Sequence, residues 1–144
     1  MKDCKKLNEY LSNLAILNAK LHNLHWNVKG IHFMEIHQFT ESLYNDFFEK
    51  YDEVAELLKM RDEKPLVKLS DYIQNSSIKE LDGKDFSSDE VIKIVQEDLN
   101  TMKNLAIEIR NAANEDNDFE VVSAFEEHVS GYSKNLWFIK SMLA

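Results

Sequence analysis

The side chains best placed for metal chemistry in this sequence are His25, His37, Asp52 and Glu56, with Glu41 one helical turn beyond His37. Neutral imidazole supplies a nitrogen lone pair and carboxylate supplies hard oxygens, a mixture that suits iron or zinc, with the carboxylates favouring iron. Partial coordination by such a set leaves positions for water or an oxidant, so the expected chemistry is oxidation of Fe2+ at an open site. Taken singly, none of these residues signals a site. His25, at the edge of an apolar helical stripe, reads alone as a hydrogen-bonded core or interface histidine. The i,i+4 pairs His37/Glu41 and Asp52/Glu56 read alone as solvated helix faces. Only the combination is informative.

The helix wheel adds direction. With His37 as zero and steps of 100°, the apolar residues of the second helical stretch fall near roughly −60° to −160°. His37, Glu41, Asp52 and Glu56 fall between about 0° and 100°, with Tyr44 and Phe48 among them. These groups face away from their own core. A di-iron site inside one bundle would instead use inward carboxylates and Glu-x-x-His pairs, and none of the five histidines has Glu three residues before it. His37 and Asp52 are about 22 Å apart along a straight helix, too far to share one ion within a chain. Either they are unrelated, or the site needs two subunits. In the second case a two-fold axis would set His25 and His37 of one copy against Asp52 and Glu56 of another, with Tyr44 and Phe48 filling the dry middle of the contact.

The elements that would position these residues are helices. Leu7, Leu11, Leu14, Leu17, Leu21, Leu24 and Val28 recur at three- and four-residue steps, and Gly30 is placed to end that first helix in a left-handed cap. The second runs from about Glu35 to Arg61, with Pro65 just beyond. Residues 62–87 lose the periodicity, although Leu69, Tyr72 and Ile73 suit a short helix within this crossover. Ser87 and Glu90 form a capping-box signature for a third long helix, and after residues 114–118 a fourth runs from Phe119 to the end, with Gly131 inside it. Two short links around one long one is the connectivity of a ferritin-like four-helix bundle, all-α, with helices two and three parallel and a short extra helix in the crossover. The length, 144 residues, suits a single domain, 1–144.

Composition agrees. Three glycines and one proline disfavour sheet-rich folds. The net charge of −9, concentrated in residues 31–64 and 89–144, disfavours general attraction to nucleic acid or anionic membrane and suits a protein that gathers cations. Cys4 is the only cysteine, which excludes an internal disulfide framework and fits a reducing cytoplasm. No apolar run approaches the roughly 20 residues of a membrane span, and the N-terminus lacks a signal core.

Other polar residues have bland explanations. His22 makes a weak H-x-x-H pair with His25, and His32 and His128 carry no separate expectation. Trp26 and Trp137 read as packing groups. Asp46, Glu49 and Glu53 read as solvated surface, or as mineral-nucleating acid if that face lines a cavity. Asp116, Asp118 and Glu120 suit the positive end of the fourth helix's dipole, which makes a pore role unnecessary.

The string His25-Trp26-Asn27-Val28-Lys29-Gly30, followed by Ile36-His37 and Glu41, closely resembles the signature of the Dps family of mini-ferritins. Tyr51-Asp52-Glu53-Val54-Ala55-Glu56, with Pro65 downstream, resembles that family's second signature, and Lys134-Asn135-Leu136-Trp137-Phe138-Ile139 its last helix. The likeness spans the whole chain. It implies ferroxidase ligands at His25, His37 and Glu41 of one subunit and Asp52 and Glu56 of its neighbour. It also implies a hollow homo-dodecamer in which iron is oxidised, with hydrogen peroxide or oxygen, and stored as ferric mineral, limiting oxidative damage. Leu57 departs from the family pattern, where Arg is frequent, and Ile36 stands where Leu or Val is usual. DNA-binding members often carry a longer basic N-terminal tail, whereas here only Lys2, Lys5 and Lys6 precede the first apolar stripe, so direct DNA binding is not expected. The rival expectations are a DNA-coating protection protein and a structural metal-binding assembly, with a metal such as zinc and without ferroxidase activity.

Overall fold

The computed structural model describes all 144 residues. In chain order the elements are α1 (Lys5–Asn27), β1 (Val28–Lys29), α2 (Phe33–Lys59), α3 (Leu69–Asn75), β2 (Phe86–Ser87), α4 (Ser88–Glu115) and α5 (Phe119–Leu143). The four long helices form the expected bundle, and α3 is the short extra helix of the crossover. α1 packs on α2 and α4 on α5, with α3 laid against α1.

The apolar stripes meet in one cluster of 32 buried residues, drawn from every helix. Lys20–Asp98 and Lys6–Glu108 pairs show α1 antiparallel to α4, so α4 runs parallel to α2. The crossover makes that possible by returning the chain to the end where α1 stops. There Val28 and Phe86, both buried, pair in a two-residue parallel bridge.

Helix ends follow from local chemistry. Ser87 Oγ accepts the Glu90 N–H at 3.2 Å, the expected cap of α4, while the Glu90 carboxylate turns to Lys84 at 3.6 Å instead of completing the box. Asp118 Oδ1 accepts the Val121 N–H at 3.3 Å and caps α5. Bonds from the Arg61 guanidinium and the Met1 amine hold the Asp118 carboxyl well below the usual range. Arg61 is thereby committed to the end of the bundle, while Leu57, one turn earlier, is buried in the core.

Two helices end without glycine. Asp62 (φ 59) and Asn117 (φ 56) take the left-handed conformation, and the following N–H groups reach back five residues, Glu63 to the Leu58 carbonyl at 3.0 Å and Asp118 to the Ala113 carbonyl at 2.9 Å. Gly30 differs from its expected role. α1 stops at Asn27, Val28 is extended, and Gly30 lies in the turn into α2 with φ 120, a conformation essentially restricted to glycine. The tight bridge to Phe86–Ser87 takes the chain out of helix before Gly30 is reached.

In α3 only Tyr72 is buried; Leu69 and Ile73 are exposed. Gly131 has open space around it and marks no close helix contact. Trp26 and Trp137, read from sequence as packing groups, are 67% and 62% exposed on this chain. No helix is long and apolar enough to cross a membrane.

Candidate metal centre

His25 sits in the last turn of α1 and His37 in the second turn of α2, brought side by side by the bridge and the Gly30 turn. Ending α1 at Asn27 leaves its last carbonyls without helical partners. One of them, that of His25, accepts the His37 Nδ1–H at 2.8 Å. The reverse bond also forms: His25 Nδ1–H donates to the His37 carbonyl at 2.6 Å, with Thr40 Oγ1 at 3.2 Å. The rings stack with centroids 3.6 Å apart.

This reciprocal arrangement has a chemical consequence. Backbone carbonyls only accept, so each imidazole must carry its proton on Nδ1, and each Nε2 keeps its lone pair. Such anchoring of the distal nitrogen is how metal-binding histidines are commonly oriented. Burial of His25 lowers its pKa from the ordinary value, which keeps it neutral and able to donate that pair.

His22 is prepared in the same way, with Nδ1 2.6 Å from the Asn18 carbonyl, and its ring lies 6.4 Å from that of His25. Tyr44 stacks on His22 at 3.9 Å and meets His25 edge-on at 5.2 Å. Tyr44, expected in the middle of a subunit contact, packs on this chain against the histidine cluster. Glu41 is exposed one turn along α2 from His37, and its carboxylate meets only the Tyr44 hydroxyl, at a long 3.4 Å.

Asp52 and Glu56 lie on the outer face of the second half of α2, exposed and without a hydrogen bond or ion pair from any side chain. Asp52 borders an apolar groove with Phe48, Tyr51, Leu66 and Val67, and Phe48 is 70% exposed. The chain thus brings together His22, His25, His37 and Glu41 at one end of α2 and leaves Asp52 and Glu56 apart at the other. Within one chain no three His, Cys, Asp or Glu side chains converge on a common point.

A second polar cluster escaped the sequence reading. His128, on α5, is buried; its Nε2 lies 2.5 Å from Glu53 Oε1 and its Nδ1 3.0 Å from the Tyr10 hydroxyl. Tyr10 is hydrogen-bonded in turn to Tyr132. Glu53 is exposed, as expected, but its carboxylate also bonds to the buried His128. The available signal was that Tyr10, His128 and Tyr132 all stand on apolar stripes, where polar tips need partners. Which partners they find depends on the packing of three helices.

The family model described as a ferritin-like domain matches residues 4–144. A DNA protection during starvation protein of Helicobacter pylori is 31% identical over the full length of both chains. Among solved structures, a Dps protein from Bacillus brevis superposes with a TM-score of 0.92 at 28% identity, covering 100% of both chains. Helicobacter cinaedi CAIP superposes with a TM-score of 0.94 at 31% identity, covering 96% of this chain and 97% of that one. The fold and these likenesses define the class, that of ferritin-like proteins. Within that class the chain belongs to the Dps family of mini-ferritins.

Proposed function

We propose that this protein is a cytoplasmic ferroxidase and iron store that assembles from copies of a single 1–144 domain into a shell, twelve in number by family likeness. Fe2+ is the substrate, bound between two-fold-related subunits by His25, His37 and Glu41 of one and Asp52 and Glu56 of the other. The observation that carries this reading is the paired locking of His25 and His37, which leaves both Nε2 lone pairs without a partner on this chain, with the exposed Glu41 carboxylate one turn along α2. Asp52 and Glu56 support it from the other side as exposed carboxylates, Asp52 bordering an apolar groove suited to burial against a second copy.

At such a site the histidines and carboxylates bind two charges' worth of metal without filling its coordination sphere. With hydrogen peroxide as oxidant the reaction balances as 2 Fe2+ + H2O2 + 2 H+ giving 2 Fe3+ + 2 H2O. The Fe3+ formed is drawn to an acidic surface; Asp46, Glu49, Glu53 and Glu127 line one cleft on this chain. Direct DNA binding is not part of the reading: the chain carries −9, and Lys6 is already paired with Glu108 at 2.7 Å.

The deciding experiment is Fe2+ oxidation by peroxide or oxygen, with metal analysis, in the wild type and a His37→Ala/Asp52→Ala variant. Loss of rapid oxidation in the variant is expected. Equal rates would refute the assignment, and stoichiometric tightly held zinc with no oxidation would favour a structural metal site.

A further inference from the structure

The second polar cluster admits one hydrogen count. Four groups stand in line, Tyr132 and Tyr10 hydroxyls, the His128 ring and the Glu53 carboxylate. If His128 donates Nε2–H to Glu53, its Nδ1 is an acceptor, Tyr10 donates to it, and Tyr132 donates to Tyr10. Every proton then has an acceptor. In the opposite sense the chain would end with the Tyr132 hydroxyl proton pointing at no acceptor, in a core where Tyr132 is 1% exposed. The resting state is therefore a phenol donating to a neutral imidazole whose far side rests on a carboxylate.

That is the arrangement a phenol needs in order to lose an electron. Ionising Tyr10 first is prohibitive, because it is fully buried and its pKa is pushed well above the usual value. Oxidation is feasible only if the proton leaves with the electron, and His128 Nδ1 is 3.0 Å away to take it. The imidazolium so formed is stabilised by Glu53, as the carboxylate of a catalytic triad stabilises its histidine. Tyr132 has no base of its own, its hydroxyl being spent on Tyr10. Tyr51 and Tyr72 share a hydrogen bond of 2.5 Å that ends at the Leu66 carbonyl, which cannot accept a mobile proton. Glu53 opens at 45% side-chain exposure onto the acidic cleft with Asp46, Glu49, Lys50 and Glu127, where cations gather.

We propose that Tyr10 is a redox-active residue that quenches one-electron oxidants of the hydroxyl-radical class, formed where ferrous iron and peroxide meet at that cleft, with His128 as its proton acceptor. The radical arises where a single Fe2+ meets peroxide, Fe2+ + H2O2 giving Fe3+ + HO− + HO•, and the inference rests on the function proposed above for bringing both reactants to this protein. In the forward step the phenol gives its electron to the radical, which becomes hydroxide and takes a solvent proton to form water, while the phenolic proton moves to His128. In the return step Fe2+ gives one electron to the phenoxyl and His128 gives back the proton. The net change is HO• + Fe2+ + H+ giving H2O + Fe3+, with Tyr10 restored.

Freeze-quench electron paramagnetic resonance of the assembled protein, loaded with Fe2+ and mixed with peroxide, tests this. A tyrosyl signal is expected that falls at least tenfold in Tyr10→Phe and is shortened in lifetime in His128→Gln. In the wild type alone, electron–nuclear double resonance after exchange into deuterated water should show an exchangeable hydrogen bonded to the phenoxyl oxygen. Photogenerated ruthenium(III) tris-bipyridine, applied without iron, supplies an independent oxidant. If the signal appears only with it, Tyr10 is redox-active but the iron reading fails. A signal of unchanged size in Tyr10→Phe, a wild-type radical lacking the exchangeable hydrogen, or no tyrosyl signal with either oxidant would overturn the proposal.

Discussion

His25 and His37 are joined twice, each ring donating its Nδ1–H to the other's backbone carbonyl, at 2.6 and 2.8 Å. Either ring turns only by giving up its own anchor, and both anchors hold only while the backbones of His25 and His37 keep their relative position. The pair therefore behaves as a unit whose geometry is set by the short loop between α1 and α2.

Because the histidine and carboxylate halves lie far apart on one chain, activity should be recoverable by mixing two dead variants. His37→Ala and Asp52→Ala subunits, reassembled in equal amounts, form mixed two-fold pairs about half the time, and each mixed pair contains one intact site of two. About a quarter of the wild-type initial oxidation rate is expected from the mixture, with little from either variant alone. Recovery near zero in a properly assembled mixture would count against a two-chain site.

The Gly30 turn should be costly to change although the space around it is open. At φ 120 a β-carbon is strained whatever its neighbours, so Gly30→Ala is expected to lose about 1–3 kcal/mol of stability. Urea denaturation measures this. Displacement of His25 relative to His37 should also slow iron oxidation in the folded fraction.

Lys20 and Asp98 make a buried pair at 2.8 Å between α1 and α4, with side-chain exposures of 6% and 11%. Burial raises the Asp98 carboxyl despite Lys20 beside it, so the charge persists only through its partner. Asp98→Ala strands the ammonium and should cost about 3–5 kcal/mol, whereas Lys20→Met combined with Asp98→Leu should cost much less. Equal losses in the two variants would show that the pair itself stabilises the fold.

Stability should fall in mild acid through His128. Burial lowers its pKa to about 4 from an ordinary 6.5, so between those values the unfolded chain binds a proton that the folded chain does not. The contribution is fully present above about pH 6.5 and is lost as pH falls toward 4, at no more than about 1.4 kcal/mol per pH unit for one proton. Burial also raises the Glu53 carboxyl, which takes up its proton more readily in the folded state and offsets part of the loss at the acid end. Denaturation midpoints across this range should slope less steeply in His128→Gln than in the wild type; parallel slopes would assign the acid sensitivity to other groups.

How much was legible in the sequence varied with the range of the interaction. Three- and four-residue periodicity placed all four long helices because burial of one stripe is a local demand, and Ser87 marked the start of α4 because a cap is made within one turn. Gly30 was misassigned for the opposite reason. Its position depends on Val28 pairing with Phe86, 58 residues away, and no local signal carries that bridge. Glu53 and His128 were likewise read as separate residues, since each pattern is commonplace on its own helix.

By itself the sequence determined that His37, Glu41, Asp52 and Glu56 face away from the apolar stripe of their helix, since a 100° step per residue leaves no choice. Only the tertiary structure decided that His25 and His37 lock each other's protons onto Nδ1, and that Tyr10, His128 and Glu53 form one hydrogen-bonded line. Those are contacts between helices. Their geometry comes from how the ends of α1 and α2 are joined and how α5 seats against both, which depends on every stripe packing at once.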